Sequence, residues 1–315
     1  MKGIYPMSEF EKNESTSEQR IMSVAERDFS TYELGDDVYQ LAGGLLREIA
    51  EVAHYTLSTE PNETELRGFI GVLGPEKELQ RNIQGLQERL GSAAVHTVAD
   101  WIEISGIMQP LDRTFKSNLK IAGKIDTLVV PGGVARWMLR RASILESIDP
   151  KIVAGDVFLL GSARKMRPTE HQIVENYQEV NDDIDEGGFA RKIIQPRIQN
   201  AGFSEKSVFV YSPCPETENG DQLLRSFFES HRSVLREYVT VVSNAPNAIQ
   251  SIGQFRQIAR EFDTKFDDGT NQLSVISDGF PIARNGEGPE TYQNPFTALG
   301  QLARNALFLY LNRDK

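Results

Sequence analysis

Three stretches of the sequence set glycine or another turn residue, and then an arginine, directly after a short apolar run. Small residues that expose their backbone N–H groups, joined to a guanidinium, are what anion recognition needs. The first is Ile125-Asp126-Thr127-Leu128-Val129-Val130, followed by Pro131-Gly132-Gly133-Val134-Ala135-Arg136. The second is Val157 to Leu160, followed by Gly161-Ser162-Ala163-Arg164-Lys165, with Glu170 just beyond. The third is Leu273 to Ser277, followed by Asp278-Gly279-Phe280-Pro281-Ile282-Ala283-Arg284. A further run, Val239 to Val242, leads into Ser243-Asn244-Ala245-Pro246-Asn247, where two amides take the place of the arginine.

The chemistry such a set could do is electrostatic. Arg136, Arg164 and Arg284 would grip a phosphate or carboxylate, the backbone at Gly132, Gly133 and Gly161 would approach it closely, and Ser162, Asn244, Asn247 and Asp278 would read its other polar groups. Glu170 is the one well-placed candidate for acid or base work. Each of these residue types also suits an ordinary turn. Their repeated placement after strand-like runs is what argues for a shared site. Neither G-x-G-x-x-G nor G-x-x-x-x-G-K-[ST] occurs, so no standard nucleotide loop is present.

The elements that must position these loops follow from periodicity. Five apolar runs, at Ile125 to Val130, Val157 to Leu160, Val208 to Tyr211, Val239 to Val242 and Leu273 to Ser277, read as buried strands. Helical patterns lie between and after them, at Trp137 to Ser147, Thr169 to Tyr177, Leu223 to Leu235, Ile249 to Phe262 and Phe296 to Leu311, the last apolar on most sides. Alternation of this kind predicts a doubly wound, mainly parallel five-stranded sheet of Rossmann-like α/β class, with all the loops above on one edge. Ahead of it, Val38, Leu41, Leu45, Ile49 and Val52 recur at three and four, which predicts an amphipathic helix. Leu79, Ile83, Leu86 and Leu90 predict a second over 76–90, and Val95 to Ile107 a third. The expected organisation is a flexible polar tail over 1–28, a helical part over 29–118 packed on the sheet, and the α/β domain over 119–315.

Totals exclude several classes. Lys and Arg number 34 against 45 Asp and Glu, a formal charge of −11 that repels nucleic acid and anionic membrane unless a basic patch is concentrated locally. Arg136, Arg140 and Arg141 are the nearest thing to such a patch. No stretch reaches the apolar length of a signal peptide or a membrane span, and Cys214 is the only cysteine, so a cytoplasmic protein without disulfides is expected. Cys214 lies between two prolines with no histidine near it in sequence, a poor setting for a nucleophile. The acidic run Asn181 to Gly187 fails as a calcium loop, because Glu186 stands at the sixth position and Lys192 at the twelfth, and it reads as a solvated acidic loop. His54, His96, His171 and His231 are scattered, so no metal is expected, and no G-x-S-x-G elbow appears.

From Ile125 to Tyr292 the order of these pieces resembles the SanA/ElyC/YdcF family, a Rossmann-like family of largely unknown biochemistry. The family's glycine pair and arginine after a strand are matched by Gly132, Gly133 and Arg136. Its second strand ending at glycine, with an acidic residue opening the next helix, is matched by Gly161 and Glu170. Its Thr-x-Glu-Asn loop before a helix is similar to Asn244-Ala245-Pro246-Asn247, and its histidine with an arginine three residues on resembles Pro281 and Arg284. This chain departs from the pattern at Pro246, Pro281 and Ser162, which replace the family's glutamate, histidine and second glycine. The anion-gripping positions match and the proton-moving ones do not. The resemblance implies S-adenosylmethionine as one ligand to consider.

Together these readings predict a protein that binds a small anionic molecule, nucleotide-like or phosphate-bearing, at the strand ends, with transfer or hydrolysis at a phosphorylated ligand as the reaction class if it is an enzyme. The alternative is a non-enzymatic binding or regulatory module with a protein partner. A methyltransferase is weaker, because Gly161-Ser162 stand where an acidic residue would hold a ribose.

Overall fold

The structure, a computed structural model, describes residues 38–52, 55–59, 61–73, 96, 99–100, 102, 125–167, 170, 173, 184–205, 207–213, 220–235, 238–245, 247–264, 272–278 and 295–311. Its centre is a five-stranded sheet of order β3-β2-β1-β4-β5, formed by β1 (Ile125–Val130), β2 (Val153–Leu160), β3 (Val208–Tyr211), β4 (Tyr238–Asn244) and β5 (Gln272–Asp278). Every neighbouring pair is parallel. This is the Rossmann-like α/β fold that the alternation predicts.

Strands buried on both faces are mostly apolar along their length, which is why they read as near-continuous runs and not as alternations. In β1 every residue is buried. Leu128 and Val130 point into one core with Val157, Leu159, Val242 and Ile276. Val129 points into the other with Phe158, Leu160, Val239, Val241, Leu273 and Val275. The first core is roofed by α3 (Ala135–Glu146) and by a helical segment made of α4 (Glu186–Phe189), a π-helical turn (Ala190–Ile194) and α5 (Gln195–Asn200). Over the second lie α6 (Gly220–His231), α7 (Ala248–Glu261) and α8 (Pro295–Leu311). Also on this face is α1 (Val38–Val52), packed on α8 and α7 through Ala42, Leu45, Leu46, Ile49 and Ala50. A short helix, α2 (Glu63–Leu73), adds Leu66 and Phe69 to the same core.

The chain runs outward from β1 to β3, then crosses back to place β4 on the other side of β1. Helix α3, which follows β1, and α7, which follows β4, lie on opposite faces. Their loops therefore diverge and leave a crevice between the carboxyl ends of β1 and β4, the place where open α/β sheets take ligands.

Five of the expected helices recur within a few residues of their predicted bounds, and the closing one is buried along Ala298, Leu299, Leu302, Ala303, Ala306, Leu307 and Leu309. Helix α2 and the segment from Glu186 to Asn200 were not predicted. The tail over 1–28, the helix over 76–90 and most of Val95 to Ile107 and Thr169 to Tyr177 lie outside the described residues. No helix among the described residues is long and apolar enough to cross a membrane.

One backbone contact locks the strand ends. A Cβ on Gly161 would sit 2.5 Å from the Cα of Gly187, so β2's exit and the start of α4 touch main chain to main chain. Backbone atoms cannot swing aside as a side chain can. Gly161→Ala should lower unfolding stability by about 1–3 kcal/mol, read as a fall in the denaturant midpoint at unchanged slope; an unchanged midpoint would show that the two segments are free to part.

Candidate functional site

The loop after β1 is shaped by three residues. Pro131 lacks an N–H and stops the ladder. A Cβ on Gly132 would stand 2.6 Å from the Leu160 carbonyl oxygen and 3.0 Å from Oε2 of Glu186, so the neighbouring strand end leaves room for glycine alone. Gly133 adopts φ +154°, which side chains disfavour. Helix α3 then starts at Ala135, and its N-cap residue, Val134, offers no side-chain cap.

Behind the loop lies Arg141, on the inward face of α3. It is 5 % exposed, and its Nη1 donates to the carbonyls of Pro131 at 2.5 Å and Gly132 at 2.7 Å. Burial pushes its pKa down to about 10, against the pull of the Glu186 and Asp278 charges. Neither carboxylate pairs with it directly, and its Nε has no partner. Arg136 is exposed on the first turn of α3, with its guanidinium carbon 5.1 Å from the Trp137 ring centre; Arg140 stands 5.2 Å from the same ring.

On the β2 side the structure brings Gly161, Ser162, Arg164 and Glu170 against this loop. Arg164 is the bridge: its Nε donates to Glu186 Oε1 at 2.6 Å and its Nη1 to Glu170 Oε2 at 2.8 Å. Glu186 Oε2 accepts from the Ser162 hydroxyl at 2.6 Å and from its N–H at 3.2 Å. Glu170 Oε1 accepts the Ala135 N–H at 2.7 Å, and Oε2 accepts the Arg167 N–H at 3.0 Å. Glu170 thus caps α3 from a distance, placing a negative charge on the helix N-terminus. Burial pulls its pKa up, but hydrogen bonds from Arg164, Arg167 and Ala135, with the Arg164 charge, outweigh it and hold the pKa below the usual carboxylate range. Arg164 in turn is desolvated, yet its hydrogen bonds to Glu170 and Glu186 raise its pKa.

Across the crevice, Asn244 and Asp278 end neighbouring strands in register. Asn244 Nδ2 donates to Asp278 Oδ1 at 3.4 Å, and Arg140 Nε reaches Asp278 Oδ2 at 2.6 Å. Asn244 is fully buried and its Oδ1 has no partner. Asn247 is drawn elsewhere: its Oδ1 accepts from Asn305 at 2.9 Å and Gln301 at 3.4 Å, both on α8. Arg284, Cys214, Pro246 and Pro281 lie outside the described residues.

The acidic run read as a solvated loop is corrected at its end. Asp185 caps α4 by accepting the Gly188 N–H at 2.6 Å, and Glu186 is 5 % exposed inside the arginine network. No local pattern could announce this, because the partners of Glu186 come from the loop after β2. Arg140 and Arg141 were noticed in the sequence only as part of a small basic patch; their spacing from Arg136 was the available signal. Among the described residues no group of three His, Cys, Asp or Glu side chains is disposed to hold a metal. No protein-family model and no curated protein matches the chain.

The depressed pKa of Glu170 has a definite sign. Its contribution to stability is fully present above the unfolded carboxylate pKa, about 4.3, and is lost as pH falls through its lower folded pKa. Glu170→Gln should therefore cost several kcal/mol at neutral pH, about 3–5 if the buried pair is fully broken. The gap between wild type and variant should close in acid. A gap that is constant from neutral to acid pH would show that the Glu170 carboxyl binds its proton alike in the folded and unfolded chain, and a gap that widens in acid would show that it folds protonated.

Proposed function

We propose that the chain binds a small anionic ligand, nucleotide-like or phosphate-bearing, in the crevice beyond the carboxyl ends of β1 and β4. One observation carries this reading. Around the Pro131-Gly132-Gly133 loop, four arginines (136, 140, 141 and 164) gather with three carboxylates (170, 186 and 278), so the site keeps positive charge in a chain whose formal charge is −11. An acidic protein that concentrates its cations at one strand end spends stability there, and a ligand of opposite charge restores it.

Arg136 is the exposed grip on that ligand, and Asn244 with Asp278 offers polar recognition across the crevice. The resemblance to the SanA/ElyC/YdcF family points to the same strand ends and keeps S-adenosylmethionine among the candidates. Glu170, ionised with both oxygens occupied, favours holding a ligand over moving its protons. Turnover is what separates a binding module from a transferase or hydrolase. The acidic charge and single cysteine support a cytoplasmic setting with no nucleic-acid partner.

A thermal-shift series with nucleotides, sugar phosphates, nucleotide sugars and S-adenosylmethionine tests the reading. One phosphate-bearing class at a hundredfold excess over its Kd should add about 2.7 kcal/mol, and Arg136→Ala should weaken it roughly tenfold, about 1.4 kcal/mol. Stabilisation by none of the anionic compounds would overturn it.

A further inference from the structure

Trp137 stands on the first turn of α3, and its Cβ lies 4.0 Å from where a Cβ on Gly133 would be. The apolar residues that α3 buries fully, Ala135, Met138, Ala142, Ile144 and Leu145, belong to the core on its own face of the sheet. Trp137 packs instead against the core on the opposite face. β1, which feeds α3, is the middle strand of five, so a side chain of α3 reaches that second core only by passing over the carboxyl ends of the strands. Helix α3 rests on β4 and β5, which places the crossing at the crevice between β1 and β4. The indole therefore lies across that crevice, partly exposed. Two guanidinium groups lie over its ring, Arg136 at 5.1 Å and Arg140 at 5.2 Å from the centre. Asp278 ties Arg140 down at 2.6 Å, whereas the Arg136 side chain is exposed. Burial lowers the Arg140 pKa, Asp278 pulls it back up, and the Arg136 charge lowers it again, so two cations crowd one ring.

From this we infer that Trp137 is the platform on which the ligand proposed above lays a flat aromatic ring, so that the anion is a nucleotide and not a sugar phosphate or free phosphate. The inference rests on that reading and deepens it. A guanidinium is planar and stacks on an indole much as a base does, so in the free protein Arg136 holds the place of that ring. When a nucleotide enters, its base takes the position over the indole. Arg136 turns onto the phosphate by rotation of its exposed side chain, and its repulsion of Arg140 ends. The exchange favours the ligand, because a base stacked on tryptophan is held more strongly than an exposed guanidinium on the same ring. Arg140 stays on Asp278, and the indole stays on the second core, so the platform keeps its shape through the exchange. Every base has a π-face, so this surface selects for a ring and leaves the choice of base to polar groups such as Asn244 and Asp278.

The test uses the full chain carrying Trp101→Phe, which leaves Trp137 as the sole tryptophan and makes the emission report on this ring. Ribose 5-phosphate and the 5′-monophosphates of adenosine, guanosine, cytidine and uridine are titrated at low ionic strength, with affinities measured by calorimetry. At least one nucleotide should quench Trp137 to saturation and bind about tenfold more tightly than ribose 5-phosphate, the size of one stacked base. Trp137→Leu should bring that nucleotide down to the affinity of ribose 5-phosphate, and Trp137→Phe, which keeps an aromatic face, should restore part of the preference. Unchanged affinity for ribose 5-phosphate shows that each of these variants is folded. Arg136→Ala should weaken both ligands, the nucleotide less, because the bared indole takes the base without displacing a guanidinium. Equal affinity for nucleotide and ribose 5-phosphate, a bound nucleotide that leaves the emission unchanged, or a preference that survives Trp137→Leu would overturn the platform while the crevice reading stands. Binding by none of these compounds would overturn the platform too, and the crevice reading would then rest on the other anions of the thermal-shift series.

Discussion

Arg164, held between Glu170 and Glu186, is the interaction on which the site depends. Three ionised groups withdrawn from water carry a large desolvation cost, and only close, multiply bonded geometry offsets it. Here the geometry is close: both carboxylates are 5 % exposed, each accepts from Arg164, and their remaining oxygens take backbone N–H groups or the Ser162 hydroxyl. The three groups come from different pieces of chain, the loop after β2, the residues leading from it and the first turn of α4. Through Ala135 the cluster also fixes α3. Removing Arg164 leaves two buried carboxylates without their cation, and removing either carboxylate strips the Ala135 N–H or the Ser162 hydroxyl of its acceptor.

That constraint decides what the strand edge has to offer. In a standard nucleotide loop the first turn of the helix is open to a phosphate. In this chain it carries an internal carboxylate, Glu170, and the loop upstream is built on glycines with φ or contacts that other residues would not tolerate. The double-sided burial of β1 and β4 fixes the strand ends that launch these loops, because each strand is held by two cores at once.

Much of the fold was legible because buried parallel strands leave a plain trace. Ile125–Val130 and Val208–Tyr211 match the predicted strands residue for residue, and β4 and β5 extend only into flanking positions. β2 begins earlier than predicted, at Val153, because Gly155 and Asp156 interrupt the apolar run while its backbone still pairs with β1 through an irregular register. The helical segment from Glu186 was hidden for the opposite reason. Gly187-Gly188 and Pro196 are helix breakers by propensity, yet Gly187 is needed where main chains meet at Gly161, and Pro196 falls in the first turn of α5, where a missing N–H costs little. Helix α2 contains two glycines and buries only a narrow face, so its period was weak. At the site, Arg164 and Glu170 were readable as neighbours in sequence. Arg141 and Glu186 were not, since their importance lies in what they touch across the fold.

Whether an anion occupies the crevice beyond the carboxyl ends of β1 and β4 is decided by a crystal of the chain soaked with selenate, a phosphate mimic visible by its anomalous signal. An anomalous peak in that crevice within reach of the Arg136 guanidinium is expected, with Glu170 still on Ala135. A peak that displaces Glu170 from Ala135, or density confined to other surfaces, would contradict it.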